Sequence, residues 1–168
     1  NDMGQEVFYP MEYKGVVVGA SFNQKGDTVL SWNKTGEVDS FKLTSTAESR
    51  AIHNKNIATI RHNAEVNKAI FNTDESKILS WSNDKTARLW DSTTGKQLIP
   101  AMEHGDNVVF AAFNRDESRI LTRTTGQARL WDISIDKDWP ADKVLLKVEV
   151  ETGTEMTSAG EVHALSIP

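Results

Sequence analysis

One segment of this chain occurs twice at a spacing of 42 residues, and this repeat limits the possible folds more than any other feature. Residues 69–80 return as residues 111–122, and both copies close with Ala-Arg-Leu-Trp-Asp, at 87–91 and at 128–132. A more divergent copy begins near residues 20–23. A period of about 40 residues is typical of stacked supersecondary units, because each unit buries its apolar faces only against its neighbours.

Short apolar runs alternate with polar turns inside each repeat. Residues 66–71, 77–81 and 86–90 are rich in β-favouring residues, and the turns Asn-Thr-Asp-Glu and Ser-Asn-Asp-Lys separate them. A fourth run, 97–102, ends the unit. Four short strands in about 42 residues predict one antiparallel sheet that must stack against neighbours to bury both of its faces. We therefore predict an all-β chain of about three four-stranded β-propeller blades, without long helices.

The repeats also divide the chain. A leading strand is predicted because residues 4–23 match residues 95–114 without a gap, so the strand corresponds to the last strand of a blade. The predicted parts are 1–12 as the last strand of a preceding or shared blade, 13–61 as a degenerate first blade, 62–103 as the second blade, 104–150 as the third blade with an expanded connection before its last strand, and 151–168 as a tail with one possible further strand.

These repeats resemble those of the WD-repeat β-propellers over about residues 4–150. The two Arg-Leu-Trp-Asp segments are similar to the family's third-strand signature, and His62 and His104 each stand nine residues before a first-strand Phe. The resemblance implies a buried hydrogen-bonded group that ties each blade together. Its members are His62, Ser80 or Ser82, Asp84 and Trp90 in the second blade, and His104, Thr122 or Thr124, and Trp131 in the third, where Thr125 stands at the Asp position.

The chemistry of this group favours a structural role for the two histidines. A buried imidazole and a buried indole N–H each need a partner, since an unsatisfied buried polar group costs about 1 to 3 kcal/mol. A carboxylate and a hydroxyl meet that need. In the first repeat Tyr13, Thr35 and Phe41 stand where His, Asp and Trp are expected, which predicts a weaker tie there.

Three bulky residues occupy equivalent positions in the second strand of the repeats: Trp32, Trp81 and Arg123. Side chains alternate along a strand, so all three share one orientation. Two interpretations remain open. The three side chains line a rim of the central channel as an interaction surface, or they pack between blades. Trp139, in the least repeat-like stretch, is a further candidate contact, with packing over a blade edge as its alternative.

Charge and motif content exclude several kinds of function. Nineteen Lys and Arg against 24 Asp and Glu give a net charge of −5, which argues against a broad nucleic-acid surface. No run approaches the length of a membrane-spanning helix, so we expect no membrane partner. There are no cysteines, no glycine-rich phosphate loop, no nucleophile elbow and no histidine pair at metal-ligand spacing. We predict no catalytic residue, no cofactor and no metal.

Three blades and one strand do not close a ring, since propellers typically have about four to eight blades. Two solutions are open: the chain is part of a longer propeller, or it is a half-propeller that a homodimer completes. The chain begins at Asn1 without an initiator Met, which favours a portion of a larger protein.

The predicted function is a non-catalytic scaffold or sensor module that binds a protein partner, because rigid stacked blades present a wide surface. The degenerate repeats are similar to C-terminal propellers of bacterial multidomain signalling proteins with an upstream nucleotide switch, whose ATP chemistry does not transfer to this chain. The expected compartment is the cytoplasm. The alternative is a propeller enzyme or small-ligand binder that acts at the channel mouth.

Overall fold

The structure, a computed structural model, describes residues 15–46, 49–134, 147–150, 154–156 and 162–164. Every described secondary-structure element is a β-strand, and every pair of neighbouring strands is antiparallel. The prediction of an all-β chain is therefore confirmed for these parts of the sequence. The predicted leading strand and Trp139 lie outside the described residues.

The first sheet contains four strands in sequential order, and its last two strands are longer than any other strand in the described residues. They are β1 (Val17–Phe22), β2 (Thr28–Asn33), β3 (Glu37–Thr46) and β4 (Ser49–Arg61).

The second sheet has the same sequential order: β5 (Val66–Phe71), β6 (Lys77–Ser82), β7 (Thr86–Asp91) and β8 (Met102–Glu103). Its last strand is shorter than the predicted run 97–102. Gln97 makes only an isolated bridge with Trp90 before the strand begins at Met102. Pro100 lies between these two contacts, and a proline has no backbone N–H to donate to a neighbouring strand.

The third sheet consists of β9 (Phe110–Phe113), β10 (Arg119–Arg123), β11 (Ala128–Asp132) and β12 (Lys147–Val150). A separate two-stranded hairpin follows, formed by β13 (Thr154–Met156) and β14 (Val162–Ala164). The tail therefore contains two strands where the sequence predicted at most one.

The sequence repeat is reproduced in the strand register. Ala20 pairs with Ser31 in the first sheet, Ala69 pairs with Ser80 in the second, and Ala111 pairs with Thr122 in the third. These three pairs occupy equivalent positions, so residues that align in the sequence also take equivalent places in the sheets.

The three sheets stack through two apolar cores, each built from opposite faces of neighbouring sheets. In both cores one sheet contributes a Trp of its second strand and the next sheet contributes a Trp of its third strand. The core between the first and second sheets contains Leu30, Trp32, Val38, Ile60, Val66, Ala69, Ile78 and Trp90. The core between the second and third contains Leu79, Trp81, Ala87, Leu89, Ile99, Met102, Val108, Ala111, Ile120 and Trp131.

Candidate functional site

The second sheet holds a chain of hydrogen bonds through its centre. The Trp90 Nε1–H donates to Ser80 Oγ at 2.8 Å, and Ser80 Oγ lies 2.7 Å from His62 Nε2. His62 Nδ1 lies 3.0 Å from Asp84 Oδ2. A carboxylate only accepts, so the His62 Nδ1–H donates to Asp84. The indole N–H of Trp90, the Ser80 hydroxyl and both ring nitrogens of His62 therefore each have a hydrogen-bond partner.

Asp84 joins this chain to the following turn. Its carboxylate also accepts the backbone N–H of Asn63 at 3.0 Å and the hydroxyl of Thr86 at 2.7 Å. Burial raises the pKa of Asp84, but the hydrogen bonds from His62, Asn63 and Thr86 outweigh it, so the pKa lies well below its ordinary value. The Asp84 carboxylate is therefore ionised in the folded structure, where it accepts these hydrogen bonds.

The third sheet keeps the tie but replaces the carboxylate. Thr122 Oγ1 accepts the Trp131 Nε1–H at 2.7 Å and lies 2.7 Å from His104 Nε2. His104 Nδ1 lies 3.0 Å from the Met102 carbonyl, to which it donates. Thr125, at the Asp position, bonds instead to Asp106 at 2.8 Å.

The structure separates the alternative hydroxyls that the sequence left open. Ser82 bonds to the carbonyls of Ala64 and Glu65, and Thr124 bonds to Gln127, so neither reaches the histidine of its sheet. Ser80 and Thr122 are the hydroxyls in the ties.

The interaction surface predicted from Trp32, Trp81 and Arg123 is not present as a shared exposed surface. Trp32 is 6% exposed and Trp81 is 4% exposed, because each ring packs into the core against the following sheet. Only Arg123 is exposed, since the described part of the structure has no sheet packed over it. The two tryptophans thus follow the packing alternative, and Trp139 lies outside the described residues.

A groove that the sequence did not predict crosses the ends of the first strands of all three sheets. Its volume is about 510 Å³. Phe22, Phe71 and Phe113 line it at equivalent repeat positions, and Phe22 is 64% exposed. We refer to this feature as the edge-strand groove. The repeat places these three phenylalanines at equivalent positions, and this was the only sequence pattern that pointed to the groove. The sequence did not show that the ends of the three first strands lie together and form a concave surface.

The turns beside the groove are linked from sheet to sheet by glutamates. Glu75 accepts the Asn23 side-chain amide of the preceding sheet at 2.9 Å. Glu117 accepts the Asn72 side chain at 2.9 Å and the Thr73 backbone N–H at 2.6 Å. Burial opposes ionisation of Glu117, but these hydrogen bonds lower its pKa, so it remains charged.

Glu75 and Glu117 have φ of 65° and 58°, in the left-handed region that glycine tolerates best. Gly26 has the equivalent place in the first sheet with φ of 71°. Glu75 and Glu117 thus adopt a backbone conformation that is unfavourable for a non-glycine residue, and in that conformation each carboxylate reaches the preceding sheet.

The groove carries positive charge beside its apolar lining. Lys68 and Arg115 line it and are exposed. Asn23, Asn72 and Asn114 use both side-chain polar atoms inside their own turns, so they hold the turns in shape. The groove therefore presents an apolar surface flanked by two cations and by the Glu117 carboxylate, which is hydrogen-bonded to Asn72 and Thr73.

Within the described ranges, no group of three or more His, Asp or Glu side chains is placed to hold a metal ion. The described residues contain no helix with the length and apolarity that a membrane crossing requires. No protein-family model matches the chain, and no significant match was found among curated proteins.

Proposed function

We propose that this chain is a section of a WD-repeat-type β-propeller that acts as a non-catalytic scaffold or sensor module and binds a protein partner in the edge-strand groove. The groove itself is the observation that carries the binding part of the proposal. The propeller part is supported by three sheets of equal order and register, and by the His, hydroxyl and Trp ties in two of them.

The lining of the groove indicates the chemistry of the partner. Phe22 is exposed, and Phe71 and Phe113 are half-buried. Covering the exposed part of these rings with an apolar side chain is favourable by roughly 25 cal/mol per Å² of apolar surface buried. Lys68 and Arg115 add attraction for a carboxylate, while the chain as a whole carries a charge of −5 and repels other acidic surfaces. The proposed ligand is an extended protein segment that has an apolar side chain next to Asp or Glu.

The groove geometry favours this module over the enzyme or small-ligand binder that the sequence left as an alternative. A catalytic or small-ligand site needs polar groups that converge on one point. The side chains of the three asparagines at the groove are hydrogen-bonded within their own turns, and Glu117 is hydrogen-bonded to Asn72 and Thr73. These polar groups therefore do not converge on one point of the groove.

Selection from a displayed library of random peptides tests the binding proposal with the intact chain. We expect enrichment of peptides with an aromatic or aliphatic residue beside Asp or Glu. The double variant Lys68→Glu and Arg115→Glu should bind the enriched peptides at least about tenfold more weakly, a loss of about 1.4 kcal/mol.

A matched control is the double variant Lys34→Glu and Lys96→Glu, which makes the same charge change at two exposed lysines away from the groove. Its affinity should stay close to that of the original chain. Equal loss in both double variants would reduce the effect to net charge and contradict a local site. Enrichment of peptides without acidic residues would also contradict the proposal.

The ring can be completed in two ways, by further sheets of a longer protein or by a second copy of this chain. Light scattering of the intact chain distinguishes them. A species of 18.7 kDa favours a portion of a larger propeller, whereas a concentration-independent species of twice that mass favours a homodimer.

A further inference from the structure

A second cavity adjoins the edge-strand groove, between the second and third sheets. Its volume is about 370 Å³. We call it the inter-sheet pocket, and it is lined by Asn67, Lys68, Ile70, Trp81, Val109, Phe110, Ala111 and Ala112. Three of these residues, Lys68, Ile70 and Ala112, also line the edge-strand groove. A segment bound in the groove therefore has a second cavity within reach.

The lining of the inter-sheet pocket includes two aromatic side chains. The Phe110 ring packs against Trp81 with 6.3 Å between the ring centroids and an angle of 52° between the ring planes. Phe110 is 40% exposed, and its neighbour Val109 is 38% exposed. Aromatic rings favour tilted and edge-to-face contacts at centroid separations of about 4.5 to 7 Å. The exposed part of Phe110 therefore favours a further aromatic ring as the occupant of the pocket.

A hydrogen bond between the sheets holds one wall of the pocket in place. The Asn67 side-chain amide donates to the Val108 carbonyl of the third sheet at 2.9 Å. Asn67 lies where the pairing of β5 with β6 shifts register, and a bulge of this kind re-aims a side chain. Val108 directly precedes Val109 and Phe110 in the chain. The wall is thus ordered before a ligand arrives, which lowers the entropic cost of binding.

Lys68 places a positive charge where the groove and the pocket adjoin. It lines both cavities and is exposed. Among the described residues that line the pocket, it is the one charged side chain. No acidic side chain of the described ranges forms an ion pair with it. A carboxylate held by Lys68 would have the apolar groove on one side and the inter-sheet pocket on the other.

We infer that the inter-sheet pocket is a second binding site, which takes an aromatic side chain of the partner segment. This aromatic residue lies on the opposite side of the acidic residue from the apolar residue in the edge-strand groove. The inference rests on the proposed function and deepens it, because the recognised sequence becomes apolar, acidic and aromatic in turn. Burial of the aromatic ring against Phe110 adds to the attraction between Lys68 and the carboxylate.

The peptides selected with the intact chain test this inference directly. They should contain Phe, Tyr or Trp on one side of Asp or Glu and a further apolar residue on the other. Phe110→Ser should weaken their binding at least about fivefold, since it removes the ring that the aromatic residue contacts. Leu98→Ser is the matched control, because Leu98 is 41% exposed and lies outside both cavities. Its affinity should stay close to that of the original chain.

A double-mutant cycle separates the local contact from an effect on folding. When Ala replaces the aromatic residue of the peptide, Phe110→Ser should weaken binding by less than about twofold, because the contact is already lost. Arg115→Glu should weaken both peptides by the same factor, since Arg115 lines the groove and not the pocket. Near-ultraviolet dichroism reports whether the tryptophans stay ordered in each variant.

The outcomes distinguish this inference from the proposed function. Enriched peptides that combine apolar and acidic residues but lack the second aromatic residue would overturn the inference and leave the proposed function standing. The same holds if Phe110→Ser weakens both peptides equally, or if Leu98→Ser weakens binding as much as Phe110→Ser does. Failure to enrich any peptide would instead contradict the proposed function, and this inference with it.

Discussion

The second and third sheets share a register and a hydrogen-bonded tie, but they differ in two respects. The second sheet completes its tie with the Asp84 carboxylate and has both faces covered. The third satisfies His104 with a backbone carbonyl and leaves its outer face exposed. A tie can therefore form from a hydroxyl, an imidazole and an indole without a carboxylate. In the second sheet the Asp84 carboxylate adds hydrogen bonds to Asn63 and Thr86.

This difference also shows how burial depends on neighbours. Leu79 and Leu121 are the same residue type at the same repeat position, and only the sheet packed beyond Leu79 makes it part of a core. The location of a repeat in the stack therefore decides what its side chains contribute to stability.

The largest expected effect contrasts Trp81 with Arg123 at this shared position. Trp81→Ala removes a ring that is 4% exposed and should lower the free energy of unfolding by about 3 to 5 kcal/mol. Arg123→Ala, on the exposed face, should change it by less than about 0.5 kcal/mol. Urea unfolding followed by tryptophan fluorescence measures both. Trp81→Ala with near-original stability would contradict packing as its role.

The second contrast concerns the carboxylate of the tie. Asp84→Ala leaves the His62 Nδ1–H and the Asn63 N–H without their acceptor, and we expect a loss of about 2 to 3 kcal/mol. Thr125→Ala at the equivalent position removes one exposed hydrogen bond and should cost about 0.5 kcal/mol. Equal losses in denaturant unfolding would show that the two ties do not differ in their dependence on this position.

The same carboxylate predicts a pH dependence. Because the folded pKa of Asp84 is lower than the unfolded one, its contribution is fully present above the unfolded value of about 3.9 and is lost as the pH falls toward the folded pKa. The original chain should therefore lose stability more steeply below about pH 4 than Asp84→Asn does. Parallel stability curves for the two chains in acid unfolding would contradict a lowered pKa at this site.

The smallest contrast concerns residues with positive φ. Lys85→Gly relieves a φ of 68° and should stabilise the chain by about 0.5 to 1 kcal/mol. Glu117→Gly relieves a φ of 58° but removes two bonds to the second sheet, so a net loss of about 0.5 kcal/mol is expected. Thermal unfolding compares the two variants. A gain in both would mean that the inter-sheet bonds of Glu117 contribute little.

Much of the fold was predictable because the repeat supplies several equivalent copies of one pattern. The β-rich runs at 66–71, 77–81 and 86–90 agree closely with β5, β6 and β7. The fourth strand of the second sheet was predicted over residues 97–102, which is longer than the observed β8. Local β-propensity does not take into account that Pro100 lacks a backbone N–H. For each tie the sequence left two candidate hydroxyl residues, such as Ser80 and Ser82 in the second sheet. Only the hydrogen bonds of the folded sheet show that Ser80 is the residue that contacts His62.

Two features of the candidate site depended on packing that sequence patterns do not contain. Alternation shows that Trp32, Trp81 and Arg123 share a face, but it does not show whether another sheet covers that face. Similarly, the repeated phenylalanines predict apolar strand ends, whereas the groove arises where three such ends meet.

Local pattern by itself determined the strands, their repeat and the residue types able to tie each sheet, because these depend on spacing, turn chemistry and the need to satisfy buried polar groups. Tertiary structure alone decided which equivalent residues are buried, which hydroxyl meets each histidine and where a concave surface forms. These outcomes depend on contacts between residues some 40 positions apart, and burial is a property of those contacts rather than of the residues that make them.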